Sequence, residues 1–216
     1  MKQKRRNGMK FSVILIAGLA LMLVAGVSEA NLLTDSDFEA SNQGPWWGLW
    51  GNNLHTGTFP DAGTGIGSSN SVKIVSNGAA GTGDDYYMYD NSLVSVTPGT
   101  AYYGSIFAKT QNLANEEISV KIDWFNNGAW VGTAGSSPTI TGTNDWTALS
   151  ISGVAPVNAN HASLAFFVNQ TADGGTGTAY FDNASLDTQP IPEPTSLLLL
   201  GSGLAGLLGL RKRAIK

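Results

Sequence analysis

No cysteine occurs in the 216 residues, so the chain can form no disulfide, no thiolate metal site and no cysteine nucleophile. Histidine is nearly absent too: His55 and His161 lie far apart, lack metal-ligand spacing and are expected in loops. Basic residues are scarce in the middle of the chain. Between residues 31 and 190 only Lys73, Lys109 and Lys121 oppose 14 acidic residues, a net charge of −11. The whole chain carries only −4, because nine of its twelve cations sit near its two ends. So acidic a segment repels phosphate backbones, which excludes nucleic acid as a partner. It also leaves little to neutralise an acidic sugar, as a polysaccharide lyase must. Gly-x-Ser-x-Gly, His-Glu-x-x-His and phosphate-loop motifs are missing. Glu116 and Glu117 are adjacent, so on a strand they point to opposite faces and cannot flank one glycosidic bond. We therefore expect no enzyme and no catalytic residues.

What is present begins at the two ends. Lys2, Lys4, Arg5, Arg6 and Lys10 precede an apolar run from Phe11 to Val27, which closes on Ser28-Glu29-Ala30. This reads as a signal peptide over residues 1–30, cut after Ala30, with an uncleaved anchor as the alternative. At the other end, Pro192-Glu193-Pro194 precedes an uncharged run from Thr195 to Leu210, and Arg211-Lys212-Arg213 follows. Those 16 residues would span about 24 Å as a helix, short of a hydrocarbon core of about 30 Å but tolerable with basic flanks snorkelling outward. The basic stop stays cytoplasmic, which places the rest of the chain across the membrane. In content and order this tail, residues 188–216, resembles the PEP-CTERM sorting signal. The resemblance implies recognition by an exosortase, transient anchoring in the inner membrane, cleavage near Pro192-Glu193-Pro194, and delivery to the cell surface or an exopolysaccharide biofilm matrix. The alternative is a plain tail anchor behind a proline-containing linker.

Residues 31–187 form the remaining domain, long enough for one well-buried core. They are poor in Lys, Glu and Arg, rich in Gly, Thr, Ser and Asn, and alternate apolar with polar positions, which predicts an all-β fold. The clearest segment puts Ile118, Val120, Ile122 and Trp124 on one face and Ser119, Lys121 and Asp123 on the other. Further strands are expected at 31–38, 71–76, 86–96, 101–108, 146–151, 163–169 and 178–186, with a long Gly/Asn/Ser-rich loop over 41–70. Thr97-Pro98-Gly99-Thr100 and Asn126-Asn127-Gly128 supply turn chemistry. Eight or nine short strands without helical periodicity imply a single β-sandwich of jelly-roll type.

Five fragments carry a second resemblance: Asn31 to Glu39, Ser71 to Ile74, Val96 to Tyr102, Asp145 to Thr147, and Tyr180 to Leu186. In this order they are similar to jelly-roll carbohydrate-binding modules with a galactose-binding-like fold. The resemblance implies a structural Ca²⁺ held by Glu39, Asp182 and the backbone carbonyl of Lys73, the alternative being two separate surface carboxylates. It also implies a glycan, here an exopolysaccharide, stacked on aromatic residues. We place Trp46, Trp47, Trp50, Tyr87, Tyr89 and Trp130 at that ligand face, while noting that one or two of the clustered tryptophans could instead plug the core. Tyr87 and Tyr89 alternate with Tyr86 and Met88, so one of these pairs must face inward. The competing functions are a structural or adhesive matrix protein that binds no sugar, and a lyase or glycosidase on a sandwich scaffold.

Overall fold

Alternating apolar and small polar residues give each extended segment one side to bury and one to expose, and ten strands result. They are β1 (Trp47–Gly51), β2 (His55–Ala62), β3 (Asn70–Ser76), β4 (Gly83–Tyr89), β5 (Val94–Ser95), β6 (Ala101–Asn126), β7 (Ala129–Ser136), β8 (Ile140–Val154), β9 (His161–Gln170) and β10 (Thr176–Asp187). The computed structural model describes residues 31–188 except Gln43 and Asn91. The expected signal peptide over residues 1–30, the Pro192-Glu193-Pro194 motif, the apolar run 195–210 and the basic stop Arg211-Lys212-Arg213 lie outside the described residues. No helix among the described residues is long and apolar enough to cross a membrane.

The 26 residues of β6 make the sandwich. Its first half pairs with β8 and β10, and from Glu116 onward it pairs with β9 and then β7. Between the halves, Asn112 and Asn115 take φ of 54° and 56°, a left-handed conformation that asparagine tolerates better than most residues. The strand thereby leaves one layer and enters the other. One layer runs β8-β6-β10-β3-β2 and the other β7-β6-β9-β4-β1, every pair antiparallel, with β5 added to β9. All-β and sandwich-like, the molecule has the expected fold class.

The core lies between the layers. Ile118, Val120, Ile122 and Trp124 are all buried, as their alternation predicts. Phe166 of β9 meets Phe181 of β10 with ring centroids 4.6 Å apart, and Tyr102 meets Trp124 at 5.9 Å, both contacts crossing the layers. Gly104 sits where a Cβ would come within 2.6 Å of Leu164, so only glycine lets the layers close at that point.

Several elements differ from the sequence reading. Residues 31–38 form no strand; they wrap the sandwich as an irregular arm, with Leu32 N–H donating to Leu186 O at 3.0 Å and Phe38 fully buried. The segment 41–70 is not one long loop but contains β1 and β2. The strands expected at 101–108 and around Trp124 are one continuous β6. Thr97 to Thr100 does form a turn, with Thr100 N–H on Thr97 O at 3.1 Å, but it joins β5 to β6, which do not pair with each other. Asn127 and Gly128, at φ of 49° and 83°, turn the β6–β7 hairpin as anticipated. His55 and His161 are not loop residues: each begins a strand.

Candidate functional site

The outward face of the β7-β6-β9-β4-β1 layer carries the side chains that alternate with the core. Register brings Trp50 of β1 beside Tyr86 of β4, Tyr86 beside Phe167 of β9, and Phe167 beside Ser119 of β6. One step along, Met88, Ala165, Lys121 and Ser136 form a parallel row, and Asp123 pairs with Thr133. The result is an open groove of about 560 Å³ lined by Asp84, Tyr86, Met88, Lys121, Asp123 and Trp130, among others. A smaller hollow of about 240 Å³, lined by Trp46, Trp50 and Asp90, shares Met88 with it.

The floor is preorganised. Tyr86 stacks on Phe167 with centroids 4.5 Å apart and 28° between planes, and Lys121 Nζ lies 3.8 Å from the Phe167 ring centre. Burial, with the charges of Asp84 and Asp123, pushes the Tyr86 hydroxyl up, so it stays a neutral hydrogen-bonding tip. On the wall, the Trp130 indole is 63% exposed and its Nε1 donates to Asp123 Oδ1 at 3.4 Å. Asp123 is pushed above its ordinary value by burial, against hydrogen bonds from Trp130 and Thr133 and the nearby charge of Lys121. Trp50, 58% exposed, folds back over Gly48, where a Cβ would meet its Nε1 at 2.8 Å. Exposed indole and phenol faces, with two carboxylates, an ammonium and hydroxyls around them, can stack on a sugar ring and bond its rim hydroxyls.

Of the residues singled out from sequence, Trp50 and Trp130 face this groove system, and Trp46 lines the smaller hollow half-buried against the core. Tyr87 and Tyr89 do not, and Trp47 only borders the smaller hollow: each of the three is at most 3% exposed and packs its ring into the core, Trp47 edge-on to both Phe38 and Tyr89. Burial pushes the Tyr87 hydroxyl up to about 12. The outward pair is instead Tyr86 and Met88. Sequence reasoning missed these two and Phe167, and it left Lys121 and Asp123 merely on the face opposite the core. Asp85 shares the inner phase of Tyr87 and Tyr89 and is itself buried, so charge does not mark the outer face of β4.

Glu39 and Asp182 meet on one loop. Glu39 Oε1 accepts from the N–H groups of Ser69 and Asn70, both at 2.8 Å, and Asp182 Oδ2 accepts from Ile66 N–H at 2.7 Å and Ser68 Oγ at 2.8 Å. Burial raises the Asp182 carboxyl, hydrogen bonds oppose this, and the charge of Glu39 adds to the rise, a repulsion that a cation would relieve. Lys73 does not join them. It lies inside β3 between Thr58 and Tyr180, where its carbonyl faces a neighbouring strand, and its ammonium pairs with Asp61 at 2.7 Å. Among the described residues no three His, Asp or Glu side chains converge as metal ligands. The two carboxylates thus suit a calcium ion only if amide, carbonyl and water oxygens complete its shell.

Comparison with known proteins adds three findings. Residues 190–213 match the PEP-CTERM protein-sorting motif. The tRNA(Glu)-specific nuclease WapA of Bacillus subtilis subsp. natto is 26% identical over 171 residues, which is 74% of this chain and 7% of that protein. The chain therefore spans a small fraction of the curated relatives it matches. Among solved structures, the carbohydrate-binding module TmCBM61 in complex with β-1,4-galactotriose aligns with a TM-score of 0.52 at 14% identity, covering 74% of this chain and all of that one. The CBM22-1 xylan-binding domain of Paenibacillus barcinonensis Xyn10C gives 0.51 at 12% identity, over 75% and 96%. The MgGH51 α-L-arabinofuranosidase gives 0.53 at 18% identity but is covered over only 26% of its length. These likenesses establish the jelly-roll sandwich of carbohydrate-binding modules. The sorting motif marks an exported protein handled through its C-terminal end.

Proposed function

We propose that this is an exported, non-catalytic glycan-binding protein whose sandwich holds a polysaccharide chain along the outer face of the β7-β6-β9-β4-β1 layer. The observation that carries the reading is the Trp130 indole standing exposed on the wall of a groove floored by the Tyr86–Phe167 stack, with Asp123 holding its ring nitrogen. A monomeric core domain gains nothing by leaving large aromatics in water; a ring-stacking site requires it. The match over nearly the whole length of a module solved with β-1,4-galactotriose and of a xylan-binding domain supports the class of ligand. The tail supports the place: an exosortase would cut near Pro192-Glu193-Pro194 after transient residence in the inner membrane, leaving the domain at the surface or in an exopolysaccharide matrix. Ca²⁺ on Glu39 and Asp182 would tie the N-terminal arm and β10 to loop 63–69 and leave the groove chemistry unchanged.

Affinity electrophoresis of the full chain in gels cast with neutral β-linked polysaccharides tests this. Retention of the wild type should be lost in Trp130→Ala and Tyr86→Ala and preserved in Trp146→Ala, since Trp146 belongs to β8 of the opposite layer. Equal retention in all three variants, or none in the wild type, would leave the matrix-scaffold reading as the better account.

A further inference from the structure

The outer face of the opposite layer, β8-β6-β10-β3-β2, carries a hollow of its own, of about 240 Å³. Tyr180 of β10 stands between the buried Ala179 and Phe181, so its ring points outward, and register sets Lys109 of β6 on one side of it and Lys73 of β3 on the other. Beyond Lys109 comes β8. There Thr147 pairs with Ala108 and Asn144 with Thr110, so Asp145 and Trp146 together oppose the single Lys109, a β-bulge of the kind that re-aims a side chain. Trp146, and not Asp145, lines the hollow with Lys109, Gln111 and Tyr180.

The remaining wall is the start of loop 63–69, which is fixed in place. Gly63 N–H donates to Ser69 O at 2.6 Å, and Thr64 Oγ1 donates to Asp61 O at 2.6 Å. At Gly65 a Cβ would come within 2.3 Å of Asn70 O, so only glycine lets the loop fold back here. Charge singles this hollow out. The segment 31–190 has three cations, of which Lys73 is paired with Asp61 and Lys121 lies over the Phe167 ring. Lys109 makes no ion pair or hydrogen bond among the described residues. An unpaired ammonium between an indole and a phenol offers a point charge to an anion and apolar faces to a ring.

We propose that this hollow binds a single sugar unit bearing one carboxylate, a uronic acid, with Lys109 pairing with the carboxylate and Trp146 and Tyr180 packing against the ring. Pockets for drug-sized ligands begin at about 300 Å³, so a smaller hollow takes one ring and not a chain. A long polyuronate can enter only by its end, because the surrounding segment of net charge −11 repels the rest of it. The site shares no residue with the glycan groove and stands or falls apart from it.

Saturation-transfer NMR of the full chain and of its Trp130→Ala variant, with D-glucuronate and with D-glucose, tests the proposal. Glucuronate should bind both proteins equally, and more weakly as salt rises. Glucose should bind Trp130→Ala about fivefold more weakly than glucuronate does, the scale of an exposed charge pair. Lys109→Gln should weaken glucuronate binding by about the same factor, and Trp146→Ala by about tenfold through loss of the ring contact. Both replace half-buried side chains on the outer face, so both should fold. No glucuronate binding by the wild type, glucose binding to Trp130→Ala as tightly as glucuronate, or glucuronate binding that survives Lys109→Gln and Trp146→Ala but is lost in Trp130→Ala, would overturn the assignment.

Discussion

Trp47 and Trp130 carry the same indole and opposite duties, and single substitutions should separate them. Trp47 is wedged between Phe38, Tyr89 and Phe166, so Trp47→Ala should cost about 3 to 5 kcal/mol of stability, read from the urea midpoint. Trp130→Ala should leave that midpoint almost unchanged and weaken glycan binding roughly tenfold by calorimetry, the scale of a lost ring stack of about 1.4 kcal/mol. Asp123 makes a prediction about pH. Its folded-state value is raised, chiefly by burial, so its contribution to stability is full below the ordinary 3.8 and is lost as pH rises through the higher folded value. Denaturation midpoints measured from pH 3 to 7 should therefore fall less steeply with rising pH in Asp123→Asn than in the wild type. Asparagine also keeps an oxygen for Trp130 Nε1, so the indole should stay in place.

At the scale of elements, β6 shows what alternation can and cannot reveal. The inward run from Ile118 to Trp124 was legible because one face is wholly apolar, and the hairpin at Asn127-Gly128 because both residues accept positive φ. The continuity of β6 was not legible, because Asn112 and Asn115 look like loop residues and act as a bend that carries one strand between layers. Asn112→Ala should accordingly destabilise by about 1 to 2 kcal/mol, whereas Asn112→Gly should not. β1 was hidden for a related reason: Gly48 and Gly51 read as loop composition, yet Gly48 is small so that Trp50 can lie over it. Gly48→Ala should shift the Trp50 emission and weaken binding without unfolding the domain. In β4 the alternation itself was visible but its phase was not, since the buried Asp85 shares a face with Tyr87 and Tyr89. That carboxylate is tolerated inside because His55 and the Asn53 N–H receive it, partners that no local sequence window contains.

At the scale of the whole molecule, the charges divide by task. Nine of twelve cations lie near the ends, three of them inside the matched sorting motif, and the sandwich keeps three. Lys73 is paired with Asp61 and Lys121 lies against Phe167, so the groove presents Asp84 and Asp123 with one ammonium between opposing carboxylates. A neutral glycan suits such a surface better than a polyuronate, whose charge an acidic domain repels. The most direct measurement is a tryptophan-fluorescence titration of the full chain with neutral and acidic polysaccharides, run in parallel on Trp130→Ala. The account predicts a saturable change with a neutral polysaccharide that disappears in the variant, with little response to the acidic ones. A flat response across the neutral panel, or an identical response from Trp130→Ala, would contradict it.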